Sequence, residues 1–464
     1  MSNLANLKKV HFIGIGGIGM SAVARMFLLE NNSPAGRVTG SDRSRSIVTE
    51  ELQKLGAKIF YDQKADNISA DTDLVVYTIA IPEDNPELKK ARELRIKCLT
   101  YPEMLGFISA DKYTIAISGT HGKTTTTAML AQVLIEAKLD PTVIVGSLLR
   151  PQGYPGEKAT NSIRTDASRA TSNGVNFIAG KSDYFVVEAC EYRRSFLNLN
   201  PKILVITNID SDHLDYYKDL ADIQSAFIEM VAKIPTDGFL VCDLTDLKVA
   251  PVVTTAKCQV IDYRQAKELK ELLVPGEHNI RDAQAVLAVS EILKIDQAVA
   301  EGALNKFSGT WRRFEFKGQT SKGALVYDDY AHHPTEISAT IAGARDLMSP
   351  PAGGKNLTGR LIIAFQPHLY SRTKSLFGDF AIALAGADRV LLAKIYAARE
   401  AFDSSVSESE LINEINNRAG KNIATFVGDL VSVEKDLSTE AVAGDLVITM
   451  GAGDISLVSD KLVG

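Results

Sequence analysis

The sequence predicts an α/β protein of three domains, and three observations carry that expectation. Its 464 residues exceed what one core organises, and at roughly 150 residues per domain about three are expected. Short Val- and Ile-rich runs alternate with helical-period segments almost throughout, the mark of βαβ units in parallel sheets. Glycine-rich turns, GIGGIGMS and GTHGKTTTT, follow two of those runs, at the strand ends where open α/β sheets take ligands.

The elements follow in order. In the first hundred residues the strand candidates are KKVHFIGI, RVTGSD, AKIFY, DLVVYTIA and IKCLTY, with helices starting near Ile18, Ser46 and Pro86. A second series runs YTIAIS, PTVIVG, YFVVEA, KILVITNI and GFLVCD, then enters the alanine-rich helix of HNIRDAQAVLAVSEILK. A third comprises GALVYDDY, RLIIAFQPH, ADRVLLAKI and DLVITMGAG. Turn residues and polar segments near Asp111 and over 311–318 mark the joins, giving expected domains at 1–110, 111–312 and 313–464. Two stretches rich in Gly, Pro, Ser, Thr and Asn, 150–174 and 349–359, read as surface loops.

Composition narrows the class. Hydrophobic residues at 45% and charged residues at 23% suit a globular chain. A net charge of −6, with Lys and Arg scattered, argues against a nucleic-acid surface. Cys98, Cys190, Cys242 and Cys258 form no CxxC pair, so a reducing compartment fits. No apolar run reaches a membrane span and the start shows no cleavage signature, so a cytoplasmic protein without membrane insertion is expected.

The motifs carry chemistry. GTHGKTTTT nearly matches GxxxxGK[ST], with Ile117 where a strict P-loop has its first glycine. A strand ending at Ser118, a glycine turn and a helix from Lys123 aim backbone N–H groups at an anion. Lys123 then neutralises terminal phosphates and Thr124 is placed to ligate magnesium. Glu188 and Glu191 follow one strand end. Asn208, Asp210, Asp212, His213 and Asp215 follow another, an oxygen-rich group with one imidazole suited to divalent cations.

In GEHNIRD, Asn279 either reads a base edge or caps a helix. Arg312 and Arg313 either clamp phosphate or line a domain junction. Asp328, Asp329, His332 and His333 follow one strand of the last third, and His368 and Arg372 another. Six of the seven histidines lie in such segments. A metal site from His332, His333 and His368 is conceivable, without HExxH-type spacing to support it. Gly14, Gly16 and Gly19, with Asp42 after the next strand, leave open NAD, another pyrophosphate-containing nucleotide, or close strand–helix packing.

In this order, HFIGIGGIGMS, GTHGKTTTT, EACE, TNIDSDHLD, GEHN, RRFE, DDYAHHPTE, FQPHLYSRT and MGAGDI resemble the Mur ligase family, over nearly the whole chain. The resemblance implies an N-terminal Rossmann-like UDP-sugar domain, a central P-loop ATPase-type domain and a C-terminal Rossmann-like domain bringing the amino acid. It implies ATP and Mg²⁺, UDP-N-acetylmuramate and L-alanine as substrates, and a monomer or weak dimer. Gly16, Gly17, Gly19, Ser41 and Asp42 are expected at the UDP-sugar. Gly119, Thr120, His121, Gly122, Lys123, Thr124, Thr125, Asn279, Arg313 and Asp329 are expected at ATP, with His121 as a loop-shaping residue.

By the same resemblance Thr124, Glu188 and His213 hold metal, and Tyr330, His332, His368 and Arg372 border the amino acid, with His332 or His368 as general base. This chain departs from the family pattern at Asp282 and Leu369, in EACEYR (Cys190, Arg193), and in the length of 150–174. A tripeptide-recycling ligase, a P-loop ATPase switch and a dehydrogenase are the rival readings. FQPHLYSRT and the absence of a long C-terminal extension weigh against the first, the switch leaves the UDP-type domain and the histidine-rich third domain unexplained, and the dehydrogenase leaves GTHGKTTTT unexplained.

Overall fold

A computed structural model describes residues 7–29, 37–149, 175–269, 272–349, 357–398 and 400–463. The expected loop 150–174 lies outside these residues, as does most of 349–359. Three sheets, each flanked by helices, follow one another along the chain. Every strand expected from the sequence is present.

The first sheet has five parallel strands, in the order Lys58–Phe60, Val38–Ser41, Val10–Ile13, Leu74–Tyr77 and Lys97–Thr100. Val10–Ile13 is wholly buried because helices cover both faces of a parallel sheet. The chain order reverses on either side of it, which places the loop GIGGIG at the switch point. Helix Tyr101–Ser109, which the sequence reading did not anticipate, starts directly on the last strand. Thr100 and Glu103 close a capping box there.

The second sheet has seven strands. Tyr113–Ser118 lies at its centre between Ile203–Ile206 and Tyr184–Glu188, and only the edge pair Thr142–Leu149 and Val175–Ile178 is antiparallel. Helices Lys123–Glu136 and Glu277–Ile292 share one core, in which Ala128, Ala131, Ala283 and Ala285 are buried together. Small side chains let those helices approach closely, so GTHGKTTTT and GEHNIRD become neighbours.

The third sheet has six strands. Leu325–Asp329, Leu446–Met450 and Leu361–Phe365 are central, and Glu315–Gln319 is an antiparallel edge strand. That strand occupies a stretch expected only as a polar join. Arg312 locks this region. Its guanidinium donates to Asp328 Oδ2 at 2.7 Å and to the carbonyls of Gly451 and Gly453 at 2.5 and 3.1 Å. Of the two readings for the arginine pair, Arg312 therefore takes the structural one.

Candidate active site

The loop after Tyr113–Ser118 can form only with glycine at two positions. Gly119 has φ +129°, and a Cβ there would stand 2.1 Å from Thr207 Oγ1. Gly122 has φ +82°, and its Cβ would stand 2.6 Å from Asp282 Oδ1. The neighbouring strand end staples the loop: Thr120 N donates to Asn208 O at 3.1 Å and His121 N to Asn208 Oδ1 at 2.9 Å. Lys123 Nζ donates to Gly119 O (2.5 Å), Thr120 O (2.9 Å) and Glu191 Oε2 (3.0 Å). Burial alone would depress this ammonium, but Glu191 more than compensates and holds it above its ordinary value.

Glu188 accepts from Thr124 Oγ1 at 3.0 Å and from Gly146 N at 2.8 Å. Thr124 and Glu188 thus form a hard, all-oxygen donor pair beside the loop, which fits magnesium. His213, at φ +55°, packs its ring 4.8 Å from Tyr192 and points Nε2 at Glu191 Oε1, 3.8 Å away. Sequence reasoning named Glu191 without giving it a role. The structure makes it the shared partner of Lys123 and His213.

Next to the loop lies a cavity of roughly 380 Å³. Of the residues expected at ATP, His121, Gly122, Thr124, Thr125, Asn279, Arg313 and Asp329 line it, whereas Gly119, Thr120 and Lys123 do not. Asn279 is not the helix cap, since Gly276 holds that position. Its amide donates back to Pro275 O at 2.6 Å. Asp329 accepts from Phe314 N, Ala331 N and Thr340 Oγ1, while burial pushes its carboxyl up to about 6. Asp282, the departure from the family pattern, also lines the cavity. Burial pushes its carboxyl up to about 8, and Oδ2 has no hydrogen-bond partner.

The third sheet brings its histidines to the same side. His332 Nδ1 lies 3.0 Å from Tyr330 O and 3.3 Å from Glu336 Oε2, two acceptors that fix the proton on Nδ1. Burial pushes His332 down to about 4, so the ring is neutral. Its ring centre stands 6.1 Å from that of His368, which stacks on Tyr396. Arg372 reaches His368 Nδ1 at 3.2 Å and Asp212 Oδ1 at 3.3 Å, tying this cluster to the loop after Ile203–Ile206. The Tyr330 ring lies under both Arg312 and Arg313, 5.1 and 5.2 Å from their guanidinium carbons.

His333 turns elsewhere. It caps helix Pro334–Met348, and its Nε2 meets Ser211 O at 3.2 Å. The trio His332, His333 and His368 is therefore not one ligand set. His333 gathers instead with His121 and Asp210. There Lys248 and Thr335 already occupy the Asp210 carboxylate, at 2.7 and 2.9 Å. His121 thus does more than shape its loop: it links Asp210 to Glu336.

The five residues expected at the UDP-sugar gather at the strand ends of the first sheet, and none lines the cavity. Gly16 N donates to Asp42 Oδ2 at 2.8 Å. A Cβ on Gly19 would stand 2.4 Å from the Tyr101 ring, whereas Gly17 has ordinary space around it. Ser41 is fully buried and donates to Glu87 at 2.6 Å, beneath the loop. Burial and then the Glu188 charge raise the Tyr101 hydroxyl, which connects this region to the phosphate loop.

Models of the Mur ligase family match along the chain: its catalytic domain over residues 9–113, its middle domain over 117–284 and its glutamate ligase domain over 312–453. A UDP-N-acetylmuramate–L-alanine ligase of Clostridium kluyveri is 42% identical, with 98% of this chain and 97% of the relative covered. The enzyme of that name from Clostridium novyi is 43% identical, with 99% and 98% covered. The crystal structure of a UDP-N-acetylmuramate–alanine ligase from Thermotoga maritima superposes with a TM-score of 0.74 at 30% identity, with 98% of each chain covered. A murein peptide ligase from Psychrobacter arcticus shares the fold, with a TM-score of 0.65 at 23% identity.

Proposed function

The chain belongs to the Mur ligase family, and we propose that it is the ATP-dependent ligase that joins L-alanine to the lactoyl carboxylate of UDP-N-acetylmuramate in peptidoglycan precursor synthesis. The observation that carries this reading is a likeness of 40–43% identity, over nearly the full length, to enzymes named for that ligation. The geometry supports it, because Glu336, which lines the cavity, contacts both His121 of the phosphate loop and His332 of the histidine cluster.

A carboxylate is a poor acyl donor, so the reaction first creates a leaving group. A lactoyl carboxylate oxygen attacks the γ-phosphorus of ATP, ADP departs, and an acyl phosphate forms. The alanine amine then attacks the carbonyl carbon, and phosphate leaves with the former carboxylate oxygen. Lys123 neutralises charge on the transferring phosphoryl, and Arg313 and Asn279 hold the nucleotide in the cavity. Thr124, Glu188 and His213 are the residues that would hold magnesium, which supplies further charge neutralisation when bound.

Arg372 binds the alanine carboxylate. The neutral His332, with its proton held on Nδ1, offers the Nε2 lone pair to the amine. Gly16, Gly17 and Gly19 receive the UDP diphosphate, with Asp42 at the ribose. The proposed division is 1–110 for the UDP-sugar, 111–312 for ATP and 313–464 for the amino acid. No helix among the described residues is long and apolar enough to cross a membrane. The reading takes the enzyme to be cytoplasmic, and a monomer or weak dimer. Phosphate release tests the reading. It is expected to need ATP, UDP-N-acetylmuramate and L-alanine together, and to fall with glycine, L-serine or a tripeptide. ATP turnover that is indifferent to the amino acid contradicts it.

A further inference from the structure

Glu336 stands third in helix Pro334–Met348, where a capping box with His333 fixes it. Its side chain is 14% exposed, and its two oxygens face different ligand sites. Oε1 lies 3.2 Å from His121 Nδ1 in the phosphate loop and 3.8 Å from Arg313 Nη1 at the cavity. Oε2 accepts from His332 N at 3.1 Å and lies 3.3 Å from His332 Nδ1 at the amino-acid cluster. His121 and Glu336 are 215 residues apart in sequence. Their contact is a short bridge between the central and third sheets.

The charges agree with this geometry. Burial alone would raise the Glu336 carboxyl, but the Nδ1–H of neutral His332, the His121 imidazolium and Arg313 hold it well below the usual range. Burial alone would lower His121, but Asp210 and Glu336 push it up to about 9, so it is an imidazolium near neutral pH. The carboxylate is held rigidly on a capped helix turn. A nucleotide that fixes the phosphate loop and Arg313 therefore fixes Oε1, and through Oε2 it fixes the backbone and ring of His332.

We infer that Glu336 is a positioning residue through which occupancy of the nucleotide site sets the affinity of the amino-acid site. The inference rests on the ligase reading and goes beyond it by assigning the coupling between two substrates to one side chain. A glutamine has the same shape, but it presents an acceptor to one side only and turns its NH₂ toward donors on the other. The substitution therefore breaks the bridge without emptying the space.

The test uses the full chain and measures the L-alanine KM at a series of ATP concentrations. In the wild type the L-alanine KM is expected to fall as ATP rises. In Glu336→Gln it is expected to be about tenfold higher, within the ~5–150-fold range of site–site couplings, and to lose its ATP dependence. Glu336→Asp is expected to restore part of that dependence. His121→Gln is expected to lose it as well, and the double variant to lose no more than either single one. An unchanged ATP dependence in Glu336→Gln, or losses that multiply in the double variant, overturns the inference alone. A wild type that does not turn over L-alanine overturns the ligase reading, and the inference with it.

Discussion

Lys123 is held by two loop carbonyls and a buried carboxylate, so its ammonium is aimed before any phosphate arrives. Lys123→Ala is expected to abolish phosphate release. UDP-sugar binding, measured by calorimetry, is expected to stay largely intact, because Gly16 and Asp42 lie on a different sheet. Equal loss of both contradicts the division of labour. Asp282 gives a second expectation. Its carboxyl is pushed up from 3.8 to about 8, so the folded chain holds a proton that the unfolded chain releases. The cost to stability therefore grows from about pH 4 to about pH 8 and is constant above that. Asp282→Asn removes the ionisable group. Its Tm is expected to exceed that of the wild type by a margin that widens over this window and then levels off, and a pH-independent margin contradicts this.

At this scale the sequence marked residues well and their partners poorly. GK[ST] identified Lys123 and Thr124, but Glu191 was one of several strand-end acids. Asn279 read equally as a cap or a base reader, and only the structure shows that Gly276 takes the cap position. Glu336 was hidden because HPTE reads as a helix start. The capping box was its one visible signal, and that signal speaks of local structure, not of His121.

The phosphate loop depends on a glycine in a left-handed conformation against Asp282. Gly122→Ala combines backbone strain of about 1–3 kcal/mol with a contact of 2.6 Å. ATP is expected to bind about 5–150-fold more weakly, read as its Kd or KM. Unchanged ATP affinity refutes the loop account. The same scale explains which strands were legible. Central strands such as Ile203–Ile206 and Leu361–Phe365 are buried throughout, so they read as unbroken apolar runs. Gln259–Asp262, Glu315–Gln319 and Ala424–Gly428 are edge strands with exposed positions. Their mixed sequences carry no such unbroken apolar run.

Across the whole molecule, function comes from convergence. Arg372 meets Asp212 over 160 residues of sequence, and Thr335 meets Asp210 over 125. Motif order could name the family, yet periodicity is a local signal and carries no information about which strand ends face one another. On the proposed division, a phosphate loop, a UDP-sugar sheet and a histidine cluster occur in one chain because each handles one participant in a two-step condensation.

Isotope transfer tests that claim most directly. With ¹⁸O in both carboxylate oxygens of UDP-N-acetylmuramate, complete turnover with ATP and L-alanine is expected to place one ¹⁸O in the released phosphate and retain the other in the new amide. Phosphate that carries oxygen from water, with both labels left on the sugar carboxylate, contradicts the acyl-phosphate account and marks a simple ATPase.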